Sequence, residues 1–169
     1  MKVKVNLNSE GYLPDKYTKH APENLKVDGK PAVSFPIEII DVPEGVKSLA
    51  IYLDDFDSVP VCGFVWIHWL AANIDPSHHL IPENTSLDPQ FDLVQGRNSN
   101  ASKFLSGETG PKLGYTGPQP PDGTHNYTLT VYALDKKLAL PSGYWLNEFL
   151  EKAEGHILEK AKIKLPVKA

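Results

Sequence analysis

Carboxylates, imidazoles and prolines gather in two short stretches of this chain. One is Leu53-Asp54-Asp55-Phe56-Asp57-Ser58-Val59-Pro60, which leads into Ile67-His68-Trp69. The other is Tyr115-Thr116-Gly117-Pro118-Gln119-Pro120-Pro121-Asp122-Gly123-Thr124-His125-Asn126-Tyr127. Asp55 and Asp57 are two apart, so in extended backbone they point to the same side with Cα atoms roughly 6.5 to 7 Å from one another. Carboxylates so placed accept hydrogen bonds from an ammonium, a hydroxyl or a backbone loop, while imidazole N–H and phenol O–H groups donate. If the strands carrying His68 and His125-Asn126-Tyr127 are neighbours, two imidazoles, a phenol and carboxylates converge on one concavity. Pro118, Pro120 and Pro121 preset a rigid wall for it, and Gly117 and Gly123 permit sharp turns. A preformed wall loses less ordering entropy when a ligand binds.

The same residues also have purely structural readings. An Asp-rich turn ending in Pro60 braces a loop, Asp54 above all. His68 shares strand parity with Phe64, Trp66 and Leu70, and a histidine on an apolar face is ordinarily a satisfied core residue. His78 and His79 are adjacent in a loop, and His20 and His156 have no polar cluster around them, so none of these is assigned a role.

The elements that must hold these groups read as strands. Fifteen prolines in 169 residues are nearly twice the usual share of about 5%, and most punctuate short extended runs. Val3, Val5 and Leu7 alternate with polar residues in an amphipathic first strand. Pro31 to Ile40 is a second extended candidate broken by Pro36, Val42 to Gly45 turns the chain, and Ser48 to Leu53 follows as a strand. Gly63 to Ala72 is apolar on both parities and reads as a central strand buried on both sides. Asn126 to Leu134 alternates β-branched and aromatic residues and is the clearest strand. Asp75 to Thr124 has little periodicity, and so long an irregular segment is usually functional or poorly ordered. After Pro141, Ser142 is placed to cap a helix with Leu146, Phe149, Leu150, Ala153 and Ile157 at helical spacing, which Gly155 weakens.

The chain length suits one domain over residues 1–169 with a substantial core. A net charge of -4 excludes the basic footprint of a nucleic-acid binder, and Lys160, Lys162, Lys164 and Lys168 read as a solvated face. No apolar run approaches the ~20 residues needed to span a bilayer, and Met1 to Glu10 lacks the apolar core of a signal peptide. The sequence therefore predicts a soluble cytoplasmic protein. Cys62 stands alone and fits a reducing compartment. The glycosylation-like triplets at Asn84, Asn100 and Asn126 then carry no meaning.

Leu53 to Pro60 resembles the Asp-Pro-Asp-Ala-Pro motif of the phosphatidylethanolamine-binding protein family. Ile67-His68-Trp69-Leu70 resembles its His-Trp strand, and Gly117 to Tyr127 its Gly-Pro-Pro-x-Gly-x-His-Arg-Tyr motif. Val42 to Ser48, Thr130 to Asp135 and Gly155 to Leu158 are similar to its bacterial, Raf kinase inhibitor-like branch, so that the match runs in order from about residue 34 to 162. The resemblance implies a mainly β fold: an antiparallel β-sandwich with Greek-key connections and peripheral helices, including a C-terminal helix. It also implies a small pocket for phosphate or other anionic head groups. Carried over by position, the pocket residues are Asp55, Asp57, Pro60, His68, Pro121, His125 and Tyr127. Phe56 stands where the family has its first proline, Val59 is an extra residue before Pro60, and Asn126 replaces an arginine. The first two bear on rim shape; the third removes a cation.

Three functional readings follow. The first is a non-enzymatic binding module without a cofactor, whose ligand is a small anionic or phosphoryl-containing molecule, with a regulatory role by analogy. The second is a metal-assisted hydrolase using Asp57, His68 and His125, against which stands the lack of a His-Glu-x-x-His pattern or a cysteine pair. No Gly-x-Ser-x-Gly elbow points to serine hydrolysis. The third is a protein-docking module with Asp75 to Thr124 as its surface, with which a homodimer is compatible; the sequence names no protein partner.

Overall fold

The alternating run that ends at Asp55 forms the axis of the fold. The computed structural model describes residues 1–106 and 110–169. In chain order its strands are β1 (Lys2–Lys4), β2 (Lys26–Val27), β3 (Lys30–Pro31), β4 (Ile37–Ile40), β5 (Ser48–Asp55), β6 (Trp66–Ile74), β7 (Leu80–Ile81), β8 (Val94–Gln95), β9 (His125–Leu134) and β10 (Ile157–Val167). Two short helices, α1 (Val59–Cys62) and α2 (Leu146–Ala153), complete the regular structure of the described residues apart from single 3₁₀ turns. The principal sheet runs β10-β9-β5-β6-β8, a second runs β1-β4-β7, and β2 pairs with β3. All these ladders are antiparallel, so the fold is mainly β, as expected.

Odd-numbered residues of β5 and β9 (Leu49, Ile51, Leu53, Leu129, Val131 and Ala133) pack with Trp69, Phe35, Ile37 and Ile39 in one buried cluster shared by the two larger sheets. Burying each Leu, Ile or Val side chain contributes about 1.5–3 kcal/mol. The even-numbered face of the principal sheet, with Ala50, Tyr132 and Leu134, is covered by Phe149 and Ala153 of α2. That alternation leaves only the strand ends for polar groups on the first face. Asp55 and His125 occupy them.

β6 departs from simple alternation. Leu53 faces Trp69 but Asp54 faces Ile67, so His68 is an additional residue, a β-bulge. The bulge moves His68 onto the face of Asp55 and Trp69. The sequence parity grouped it with Leu70, which instead lies in the cluster under α2. A second register shift falls near Asn73, whose φ of 62° is stabilised by two 2.8 Å hydrogen bonds between its amide and the main chain of Leu138.

The chain end corrects a second expectation. The helix starts after Trp145, whose N–H donates to the Glu148 carboxylate at 2.7 Å, not at Ser142. It stops at Ala153, and Gly155, at φ 75°, turns the chain into β10. Ile157 is therefore a strand residue, and Lys160, Lys162 and Lys164 are the exposed positions of an alternating edge strand.

The irregular segment before β9 is knitted by side-chain amides, as buried backbone requires. Asn98 Nδ2 donates to the Pro111 and Gly114 carbonyls, both at 2.9 Å. Asn100 Nδ2 donates to Pro111 O and Thr116 Oγ1, both at 3.0 Å. Residues 107–109 of the segment considered for docking lie outside the described residues. No helix among the described residues is long and apolar enough to cross a membrane.

Gly117 locks this segment to the rest of the molecule. A Cβ there would lie 2.5 Å from the Tyr17 carbonyl and 2.7 Å from Pro31 Cβ. Gly117→Ala is expected to destabilise the protein by about 1–3 kcal/mol through overpacking, measured by chemical denaturation. A loss below about 0.5 kcal/mol, the scale of a neutral surface change, would mean that the segment is free to shift.

Candidate functional site

The β5–β9 ladder, in which Leu53 faces Leu129 and Asp54 faces Thr128, brings the end of β5 beside the start of β9. His125 Nδ1 donates to Asp55 Oδ2 at 2.8 Å, with both side chains buried. The second oxygen, Asp55 Oδ1, accepts the Ser58 N–H at 3.2 Å. Ser58 Oγ in turn donates to the Asp55 carbonyl at 2.6 Å and accepts the Trp66 N–H at 3.0 Å, which ties the α1 turn to both strands. Asp57 Oδ2 accepts the Asn126 N–H at 2.8 Å.

The bulge residue His68 is fixed from behind by the long segment. Its Nδ1 donates to the Thr116 carbonyl at 2.8 Å, and its own carbonyl accepts the Thr116 N–H at 2.9 Å. The buried Tyr127 ring stands edge-on to His68, with centroids 5.0 Å apart. These groups open onto a cavity of about 410 Å³.

Of the residues proposed from sequence, Asp55, His68, Pro121, His125 and Tyr127 line this cavity. Asp57 and Pro60 are exposed and lie outside its lining. Asp57 holds the first turn of β9, and Pro60 sits in α1, whose Val61 and Cys62 face the cavity. Asp54 is buried on the other face, where one of its oxygens has no partner among the described residues and burial pushes its carboxyl up to about 6. The cavity also has lining residues that the motifs did not mark: Lys30, Trp66, Asn100, Thr116 and Gln119. Lys30 Nζ donates to Gln119 Oε1 at 3.4 Å, and Lys19 Nζ supports the proline wall at the Pro120 carbonyl, 2.7 Å away.

The two imidazoles have opposite electrostatic settings. Burial alone would lower the His125 value, but the hydrogen bond and charge of Asp55, helped by Asp122 and Asp57, raise it above the ordinary histidine value. Burial drives His68 down to about 4, and His125 acts in the same direction, against the Thr116 bond and the Asp55 charge. Tyr127 is pushed up by burial and by Asp55. The cavity thus presents a His125 whose protonated form Asp55 favours beside a His68 that is neutral at neutral pH. Asp57, His68 and His125 are committed to separate partners. Among the described residues no group of three His, Cys, Asp or Glu side chains is placed to hold a metal ion.

Comparison with known proteins gives a consistent picture. A family model described as phosphatidylethanolamine-binding protein matches residues 4–168. An uncharacterised Bacillus subtilis protein, YxkA, is 47% identical over 96% of this chain and 98% of its own length. A UPF0098 protein of Methanothermobacter thermautotrophicus is 35% identical, covering 92% of this chain and 90% of its own. The crystal structure of CT736 from Chlamydia trachomatis, described as a phosphatidylethanolamine-binding protein homolog, superposes with a TM-score of 0.76 at 28% identity, covering 99% of this chain and 98% of that one. Escherichia coli YbcL shares the fold, with a TM-score of 0.75 at 23% identity over 99% of this chain and 98% of its own.

The opposed settings predict that the His125 ring titrates above about 6.5 and the His68 ring below it, followed by imidazole NMR. Because folded His125 holds its proton more tightly than an unfolded histidine, its contribution to stability is full below pH about 6.5 and fades as pH rises through its raised value. His68 acts oppositely: its folded value near 4 makes stability fall as pH drops below about 6.5. Asp55→Ala leaves His125 buried without its partner and is expected to cost about 3–5 kcal/mol in denaturation experiments. A cost under 1 kcal/mol, as for an exposed pair, would contradict the buried geometry.

Proposed function

We propose, for a chain that belongs to the phosphatidylethanolamine-binding protein family, that the cavity between β5, β6 and β9 binds a phosphate or another small anionic head group, and that the protein is a binding module without catalytic chemistry. The observation that carries this reading is the buried His125, hydrogen-bonded by Asp55 so that its protonated form is favoured, inside a concave site. Asp55 already accepts two hydrogen bonds, so its charge is matched within the protein wall. Lys30 adds a cation at the edge, and the Gln119 amide, whose oxygen accepts from Lys30, adds neutral N–H donors.

Asp122 supports the same assignment. Its exposed carboxylate lies 3.4 Å from His125 Nε2, on the side of the ring away from Asp55. A carboxylate oxygen there stands where a ligand oxygen would sit, and an entering anion would displace it. Asp57 and Pro60 serve the ligand indirectly, by fixing the start of β9 and the α1 rim. A zwitterion suits the site if its ammonium lies toward Asp122.

Regulation through a protein partner is the second reading, and one observation favours it. Phe56, Val59, Val61 and Phe64 are exposed around α1, and Phe104 is 99% exposed, while Val61 and the neighbouring Leu105 line the cavity. An apolar surface at the mouth of an anion site couples ligand occupancy to docking. A cytoplasmic setting, with its phosphorylated metabolites, suits both readings.

Inorganic phosphate and phosphorylethanolamine titrated into the metal-free protein are expected to give saturable NMR shifts at His68 and His125 but not at His20. A charge-assisted hydrogen bond of about 1.5–3 kcal/mol predicts that His125→Ala weakens binding by roughly 10- to 100-fold. Asp122→Asn, which removes the competing carboxylate, is expected to tighten it several-fold. Shifts only after addition of Zn²⁺, or equal shifts at His20, would exclude this pocket as the anion site.

A further inference from the structure

Thr116 fixes more than the position of His68. A carbonyl oxygen only accepts, so the 2.8 Å contact of Thr116 O with His68 Nδ1 places a hydrogen on Nδ1. In a neutral imidazole the other nitrogen, Nε2, is then a lone-pair acceptor. Among the described residues no protein donor reaches Nε2, while the His68 ring lines the cavity. The neutral state follows from the surroundings, because burial holds His68 at about 4. The charged and titratable groups that face it are Asp55 from β5, His125 and Tyr127 from β9, Cys62 from α1 and Lys30 from β3, with Asp122 behind His125. Asp55 is engaged by His125 and Ser58, and Lys30 by Gln119.

We infer that the cavity selects a phosphoryl group that brings its own proton: the monoprotonated form of a phosphate monoester or of inorganic phosphate, whose P–OH donates to His68 Nε2 while its other oxygens face His125 and Lys30. This inference rests on the anion-pocket reading and narrows it. Phosphodiesters and sulfate carry no hydrogen near neutral pH and would set an oxygen lone pair against the nitrogen lone pair. No covalent bond forms or breaks. Whether the hydrogen stays on the phosphoryl oxygen or crosses to Nε2, the complex holds one proton more than neutral His68 plus the dianion.

The second ionisation of a phosphate monoester lies at about 6, so each pH unit above it removes roughly nine-tenths of the binding form. Monoester affinity should therefore fall by about tenfold per unit. Calorimetric titration of phenyl phosphate, dimethyl phosphate and sulfate between about pH 6 and 8.5, each in two buffers of different ionisation enthalpy, tests this. Phenyl phosphate is expected to bind with uptake approaching one proton at the upper end and with the tenfold-per-unit fall. The diester and sulfate should bind at least tenfold more weakly at pH 7, and their affinity should fall less steeply than that of phenyl phosphate by about tenfold per unit, since they share only the deprotonation of His125. His68→Gln, which offers an amide donor toward the cavity, should lose the proton uptake and tighten sulfate relative to phenyl phosphate. Long-range ¹⁵N NMR of the unmodified protein should show His68 as the Nδ1–H tautomer, a readout that needs no variant to fold. Equal binding of all three probes without proton uptake would leave the anion pocket standing and overturn the selection. An equally steep pH fall for all three would report deprotonation of His125 alone and overturn it too. Binding of none would overturn both readings, and an Nε2–H tautomer would overturn the selection alone.

Discussion

The buried hydrogen bond between Asp55 and His125 is the constraint on which the site depends. Each partner would be costly to bury by itself, and together they sit where the odd-numbered face of β5 and β9 runs out of apolar residues. The pair fixes the relative position of the β5 end and the β9 start, and through Ser58 it also fixes α1 and the first residue of β6. Breaking a buried pair from one side leaves an uncompensated charge, so the pair favours a single arrangement of this corner of the sheet. The ring is thereby pinned from its Nδ1 side, and the exposed Asp122 carboxylate is the group that stands against its Nε2.

The other half of the site comes from irregularity. Had β6 alternated without interruption, His68 would have pointed toward the cluster under α2 with Leu70. The bulge places it beside Trp69; on its outer edge β6 pairs with β8 at Ala71 and Ala72 and with the main chain of Thr116 at His68. Residues 110–117 run beside that edge, held by the Asn98 and Asn100 amides, and include the Thr116 contacts that orient the imidazole. Residues 110–117 are therefore a back wall on which the geometry of the site depends.

Much of this was legible in the sequence, because the features concerned are local. Alternation marked β5 and β9 through Leu53 and Val131, and the polar residues at their ends marked Asp55, His125 and Tyr127. Asn126 to Leu134 was correctly placed to within one residue. Features that depend on register were not legible: a bulge at His68 has no residue-type signature, and Thr116 acts through main-chain atoms common to all residues. Lys30 reaches the cavity from a distant two-residue strand with no motif of its own. Ile157 fits both the helical and the strand period, so helical spacing alone carries the terminal helix past its actual end at Ala153. The alternation of Ile157, Glu159, Ala161, Ile163 and Leu165 with Lys160, Lys162 and Lys164 would have revealed β10 had Gly155 been taken as a stop.

Net charge of -4 carries no signal for the proposed anion site, which rests on a local balance: a buried His125 whose proton is favoured by Asp55 in the protein wall, and a neutral His68 ring lining the cavity. That balance is what distinguishes an anion cradle from a buried structural ion pair. The most direct test is a crystal structure of the protein with phosphorylethanolamine, grown without phosphate or sulfate. The account predicts the phosphoryl group inside the cavity, with one oxygen in hydrogen-bond contact with His125 and the Asp122 carboxylate moved away. A fully occupied ligand outside the cavity, or an empty cavity at saturating ligand with Asp122 still against His125, would contradict it.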